Sequence, residues 1–304
     1  MASKQPVIIE VAINGAVSKA RNPNSPQGPE EIAEVAIACI DAGASIVHNH
    51  IEDITLPGQP AADRYLEGWK RIRQRHPQAI LYPTVVFAES QEDRFSHVRA
   101  LAVPGGADMI GYDPGSLNLG MGFDENGLPP RDFVYRNGYG ETRFVMNMAG
   151  ELGTPPSMSL FDPSFARAVL AWHRAGKLPQ GSLVKFYFGG EWDMIAGGRG
   201  GASFGLFPTA KGLDAYLEMF EGVDLPWAVA VPGGDPVGCG LARIALERGG
   251  HLRVGLEDYG GPGTPSNVEL VEAAAALCRE VGRPLATAEQ ARALLGMNSP
   301  AMAA

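Results

Sequence analysis

Eight short apolar runs, each five to eight residues long, alternate with stretches of helical spacing along most of the chain, and this leaves few folds open. The runs are Val7–Asn14, Ser45–His50, Ile80–Val86, Ala107–Asp113, Met158–Asp162, Ser182–Phe188, Pro226–Pro232 and His251–Asp258. Their β-branched and aromatic content suits strands buried on both faces, as in a parallel sheet. Between the first two, Pro29-Glu30-Glu31 reads as a helix start, with proline in the first turn and acids at the positive end of the dipole. Ile32, Val35, Ala36 and Cys39 follow on one face, and Gly43 ends the helix. Further helices are expected at Leu66–Arg75, Glu92–Leu101, Pro163–Ala175, Ala210–Phe220, Pro236–Arg248, Asn267–Val281 and Thr287–Leu295. Eight strand–helix units in 304 residues predict an α/β fold, a single (β/α)₈ TIM barrel over residues 1–304, with an open doubly wound sheet as the second option.

Composition bears on the loops and the partners. Glycine (39) and proline (24) make up about a fifth of the chain against a usual share of roughly 12%, without collagen-like period. Long shaped loops are therefore expected, at about 114–156 and 189–208, both leaving C-terminal strand ends where a barrel builds its site. Within the first, Arg143–Met148 (RFVMNM) reads as an additional strand. A net charge of -9 argues against a nucleic-acid partner. No apolar run approaches the ~20 residues of a membrane-spanning helix, and the first residues lack the features of a signal peptide. Cys39, Cys239 and Cys278 are scattered and odd in number, the pattern of a reduced, cytoplasmic protein.

The most specific chemical signal is His48-Asn49-His50 at the end of the second run. Residues two apart on a strand share a face, so both imidazoles point one way and Asn49 the other. Two converging imidazoles at a barrel mouth suit a transition metal, zinc above all; the plain alternative is a pair of hydrogen-bonded core histidines. In the last run Arg253, Gly255 and Glu257 share a face, which makes Glu257 a candidate third ligand or else an ordinary surface acid. Arg253 and Asp258 form a second pair, read equally well as a strand-end salt bridge or as an acid oriented by a guanidinium.

These motifs, in this order, resemble those of the β-keto acid cleavage enzymes, the 3-keto-5-aminohexanoate cleavage enzyme-like family. The resemblance spans NPNSPQGPEEIAE, AGASIVHNHIED, YPT, GSLNLG and GGHLRVGLED. It implies a zinc-dependent barrel, commonly a homotetramer, that condenses a β-keto acid with acetyl-CoA to give acetoacetate and a new acyl-CoA. By the same resemblance His48, His50 and Glu257 hold the zinc, and Arg253 and Asp258 form the catalytic dyad with Asp258 as base. Thr84, Ser116 and Val17 fall at substrate-binding positions. The chain departs from the family where Val17 stands near a glutamate associated with the substrate's amino group. Glu52 replaces a basic residue, and Val85, Val86 and Phe87 replace glycines. A substrate without the amino group is therefore expected. Two other functions compete: a metal-dependent barrel hydrolase, which would need further histidines at later strand ends, and a non-catalytic keto acid or acyl-CoA binding protein, which would need no base.

Overall fold

The computed structural model describes residues 5–298 apart from 121–122, 127, 129–132 and 194–197, so parts of both expected loops lie outside the described residues. Barrel strands β1 (Ile9–Ala12), β2 (Ile46–Asn49), β3 (Ile80–Pro83) and β4 (Ile110–Tyr112) are followed by a two-stranded ribbon, β5 (Leu117–Asn118) and β6 (Val134–Tyr135). The barrel resumes with β7 (Pro156–Leu160), β8 (Leu183–Tyr187), β9 (Trp227–Ala230) and β10 (His251–Val254). Helices α1 (Gly28–Ala42), α2 (Gly58–Arg75), α3 (Gln91–Ala100), α4 (Tyr139–Leu152), α5 (Pro163–Arg174), α6 (Ala210–Met219), α7 (Leu241–Glu247), α8 (Asn267–Val281) and α9 (Ala288–Leu295) fill the intervals.

Parallel ladders run unbroken in the order β3-β2-β1-β10-β9-β8-β7-β4. The seam between β3 and β4 is bridged outside the ladder: Asp108 N–H donates to the Leu81 carbonyl at 2.9 Å, and Leu81 N–H donates to the Asp108 carboxylate at 2.8 Å. The result is a nearly closed TIM-type barrel, and the strands are buried on both faces as the apolar runs require.

Two local expectations are corrected. Arg143–Met148 is not a strand but the middle of α4. Its Thr142, Val145, Met146 and Ala149 are buried at helical spacing, and Gly153 in the left-handed region closes the helix. The last strand stops at Val254, short of the expected Asp258, and this change positions the site.

Inside the barrel, one apolar cluster closes the end at which the strands begin. Ile8, Ile46, Ile80, Met109 and Leu183 pack there against Ala291 and Leu295 of α9. This short helix holds its position with a reciprocal cap in which Thr287 accepts from Gln290 N–H and Gln290 accepts from Thr287 N–H.

Candidate functional site

Two residues along β1, β2 and β8 from that apolar floor stand the ionisable Glu10, His48 and Lys185. His48 and His50 follow Ile46 on the same face of β2, while Asn49 turns outward and accepts the Trp69 indole N–H at 2.8 Å. The two imidazoles lie edge to face with ring centres 5.2 Å apart. His48 stacks on Tyr82 at 4.5 Å, and its Nδ1 faces the Tyr82 carbonyl at 3.3 Å, which leaves Nε2 turned to the site. Burial holds the His48 imidazole down at about 4, against the pull of Glu257, so the ring is neutral at pH 7. Asn14 fixes the backbone of His50 from both sides, accepting its N–H at 2.8 Å and donating to its carbonyl at 3.0 Å.

Glu257 arrives by a turn rather than by strand alternation. After Val254 the backbone turns at Gly255 (φ 131°), and Asp258 and Tyr259 N–H both donate to the Gly255 carbonyl. On a continuing strand Glu257 and Asp258 would point to opposite faces. The turn brings both back over Arg253. Only glycine fits at the bend, because a Cβ on Gly255 would meet the Ala12 carbonyl oxygen at 2.2 Å; one on Gly15 would meet Glu257 Cγ at 2.4 Å.

The outcome is a cluster of His48, His50 and Glu257 whose ligand atoms all lie within 4.8 Å of one another. Glu257 Oε2 is 3.2 Å from His48 Nε2, and Oε1 is 3.6 Å from His50 Nε2. Both ring nitrogens of His50 and Oε2 of Glu257 are buried without a hydrogen-bond partner. The unpartnered ring nitrogens of His50 and carboxylate oxygen of Glu257, with His48 Nε2 turned toward the same site, form a donor set that could hold a divalent transition metal, which would satisfy them. Burial opposes the Glu257 charge, but His48, Arg253 and His50 outweigh it and hold the carboxyl well below the usual range.

Arg253 ties this cluster to the rest of the barrel. Its Nε donates to Asp258 Oδ2 at 2.6 Å, Nη2 reaches Glu257 Oε1 at 3.0 Å, and Nη1 donates to Glu10 Oε1 at 2.7 Å. Burial, together with the Glu257 charge, raises the Asp258 carboxyl above its ordinary value in spite of Arg253. Beneath, Glu10 Oε1 also accepts from Tyr82 at 2.5 Å and from Lys185 at 3.3 Å, and Lys185 donates to the Tyr82 hydroxyl at 2.9 Å. Burial alone would raise Glu10, yet Lys185 and Arg253 together bring it down to about 2. Sequence reasoning missed Glu10, Tyr82 and Lys185. The available signal was a lone charge inside an otherwise apolar run, in VIIEVAIN and in SLVKFYF.

A cavity of about 110 Å³ opens over these groups, lined by His48, Thr84, Asp113, Lys185, Arg253, Glu257 and Asp258 among others. Of the expected substrate residues, Thr84 is therefore at the cavity. Ser116 and Val17 do not line it: the Ser116 hydroxyl accepts the Asn137 N–H at 2.9 Å, and Val17 is buried in its own loop with its carbonyl bonded to Ser25. His97 is fully buried and faces the Thr84 carbonyl through Nε2 at 2.8 Å. Larger cavities of about 560 and 510 Å³ sit at the opposite end of the barrel, far from any of this chemistry.

The parallel barrel carries in its interior a two-histidine, one-carboxylate cluster that could hold a metal ion, beside a buried Arg–Asp pair, an arrangement suited to an enzyme active site. Residues 6–297 match the family of beta-keto acid cleavage enzymes, and the chain belongs to that family. It is 32% identical to a 3-oxoadipate:acetyl-CoA acetyltransferase of Cupriavidus necator, over 97% of this chain and 96% of that one. It is 29% identical to a 3-keto-5-aminohexanoate cleavage enzyme of Acetoanaerobium sticklandii, over 96% and 98%. Among solved structures the chain is similar in fold to ObcA in its complex with oxaloacetate (TM-score 0.66, 18% identity, 92% of this chain and 69% of that one). The protein is accordingly an enzyme of the β-keto acid cleavage family, and among the described residues no helix is long and apolar enough to cross a membrane.

Proposed function

We propose that this enzyme converts a β-keto acid and acetyl-CoA into acetoacetate and a new acyl-CoA, with His48, His50 and Glu257 holding a zinc ion. The observation that carries the reading is the meeting of that ligand set with the Arg253–Asp258 pair over one cavity at the C-terminal mouth of the barrel. Bound there, zinc would supply Lewis acidity, drawing electron density from a carbonyl oxygen of the substrate. Asp258 takes the proton from the carbon between the two carbonyls, and its raised carboxyl is a better base than an exposed aspartate. Arg253 fixes the orientation of that carboxylate through Nε and Nη2. The carbanion attacks the acetyl-CoA thioester and releases the CoA thiolate. The thiolate then adds to the original ketone, and C–C cleavage leaves acyl-CoA and a carbanion that takes the proton back from Asp258 to give acetoacetate. No cysteine takes part: Cys39 and Cys278 are buried, and Cys239 does not line the cavity.

The substrate is proposed to lack an amino group, because the Gly15–Ser18 turn carries no acid to pair with one. Asp113 is the acid of the cavity wall outside the Glu257–Asp258 turn, and its Oδ2 already takes the Tyr135 hydroxyl at 2.6 Å. A homotetramer is proposed on the family resemblance, and the cytoplasm as its location on the three scattered cysteines. The test is a comparison of kcat/KM for 3-keto-5-aminohexanoate and for uncharged β-keto acids, on protein of measured zinc content. A higher value for the amino substrate than for every uncharged one would overturn the substrate proposal, and no turnover of any would overturn the reaction.

A further inference from the structure

Lys185 is an expensive residue to bury. Its side chain is 2% exposed, beside the Arg253 guanidinium, and taking a second cation out of water costs several kcal/mol before any partner is counted. Its charge offsets that of the buried Glu10, which Arg253 also pairs at 2.7 Å. Two of the three N–H bonds of its ammonium are used, at 3.3 Å to Glu10 Oε1 and 2.9 Å to the Tyr82 hydroxyl. The third has no protein acceptor among the described residues, and Lys185 lines the cavity over the site. Its ammonium also lies 5.2 Å from the centre of the Tyr82 ring, on which His48 stacks, so its position relative to the proposed metal ligands is fixed by packing. The other charged groups of the wall are accounted for. Arg253 spends its donors on Glu10, Asp258 and Glu257, and no ion pair joins Lys185 to Asp113.

We propose that Lys185 is a substrate-binding residue, held by Glu10 and Tyr82 so that its free N–H receives a carboxylate oxygen of the β-keto acid. This rests on the reaction proposed above for the nature of the ligand. A preorganised cation in a water-poor cavity discriminates strongly between a carboxylate and a neutral group of the same shape. Glu10 and Tyr82 are positioning residues in this scheme: Glu10 keeps Lys185 charged, and Tyr82 keeps it pointed.

The test is the binding of acetoacetate and of its amide, acetoacetamide, to zinc-loaded protein by calorimetry, in the wild type and in Lys185→Met. The preference for acid over amide should fall about tenfold or more in the variant, the loss expected when a charge-assisted hydrogen bond disappears. A lysine that only braces the barrel would weaken both ligands alike, and an unchanged ratio overturns the proposal. Lys185→Gln, which can still donate to Glu10, must show the same fall, and this keeps the test decisive if the Met variant does not fold. Lys185→Arg, which retains the charge, should recover part of the preference. The reading of the reaction is separable: a falling ratio in a protein that never turns over acetyl-CoA leaves Lys185 as the carboxylate contact and removes the acyl transfer.

Discussion

The two ends of the barrel interior are built from the same strands two residues apart, yet they do opposite things. At the strand starts Ile8, Ile46, Ile80 and Leu183 form a dry floor; one side-chain layer higher, Glu10, His48, Tyr82 and Lys185 carry charge and hydrogen bonds. The floor end holds cavities of about 560 and 510 Å³, and the cavity over the charged cluster has only about 110 Å³. Volume therefore does not identify the site in this molecule; unsatisfied ligand atoms and a raised carboxyl do. The floor contributes rigidity, so that the buried side chains of Glu10, Tyr82, Lys185 and Asp258 above it can be held within hydrogen-bond distance of Arg253 or of each other.

Breaking the charged end should abolish function with the fold intact. Glu257→Gln removes a charged ligand, and activity should fall by more than the ~100-fold typical of losing an outer partner of a metal site, with zinc content falling in parallel by elemental analysis. Asp258→Asn keeps the shape and removes the base; kcat should drop about 10²–10⁴-fold while zinc stays bound, read by steady-state kinetics on metal-analysed protein. Equal activity of this variant and the wild type would return Arg253–Asp258 to the status of a salt bridge.

At the floor the expected effects reverse. Leu183→Ala leaves a cavity beneath Tyr82 and Lys185 and should cost about 2–5 kcal/mol in denaturant unfolding, with zinc content unchanged. A second effect at the floor concerns pH. Burial, with Arg283 adding to it, holds His251 down to about 3, and its Nδ1 accepts the Ile8 N–H at 3.1 Å, so the folded protein keeps the ring neutral. The unfolded chain takes up a proton near pH 6.5. Stability is fully present above that pH and is lost toward pH 3, at about 1.4 kcal/mol per pH unit from this group. His251→Asn, whose side-chain oxygen can still accept from Ile8, should flatten the stability curve between pH 6 and pH 4 by about one proton's worth, measured as midpoint shifts in urea.

The barrel was legible because each apolar run is followed by a helical pattern, and the HxH pair because strand spacing alone puts His48 and His50 on one face. The α4 helix was misread because RFVMNM is rich in strand-forming residues, and only the packing of Val145, Met146 and Ala149 reveals its period. The convergence of Glu257 and Asp258 depends on a turn at Gly255, where the pattern of HLRVGLED reads as a continuing strand. Glu10, Tyr82 and Lys185 come from three strands that meet across the barrel only after closure, and no local spacing encodes that meeting. Ser116 and Val17 lie in loops, whose paths are set by contacts such as those with Asn137 and Ser25.

The central claim is that the charged mouth joins the acetyl group of acetyl-CoA to a fragment of the β-keto acid. The direct measurement supplies acetyl-CoA labelled with carbon-13 in its acetyl group together with an unlabelled β-keto acid, and follows the products by mass spectrometry. The account predicts that all the label appears in acetoacetate, none in the new acyl-CoA, and neither product with Glu257→Gln. Label recovered in free acetate, or retained in acetyl-CoA while the keto acid is consumed, would contradict it.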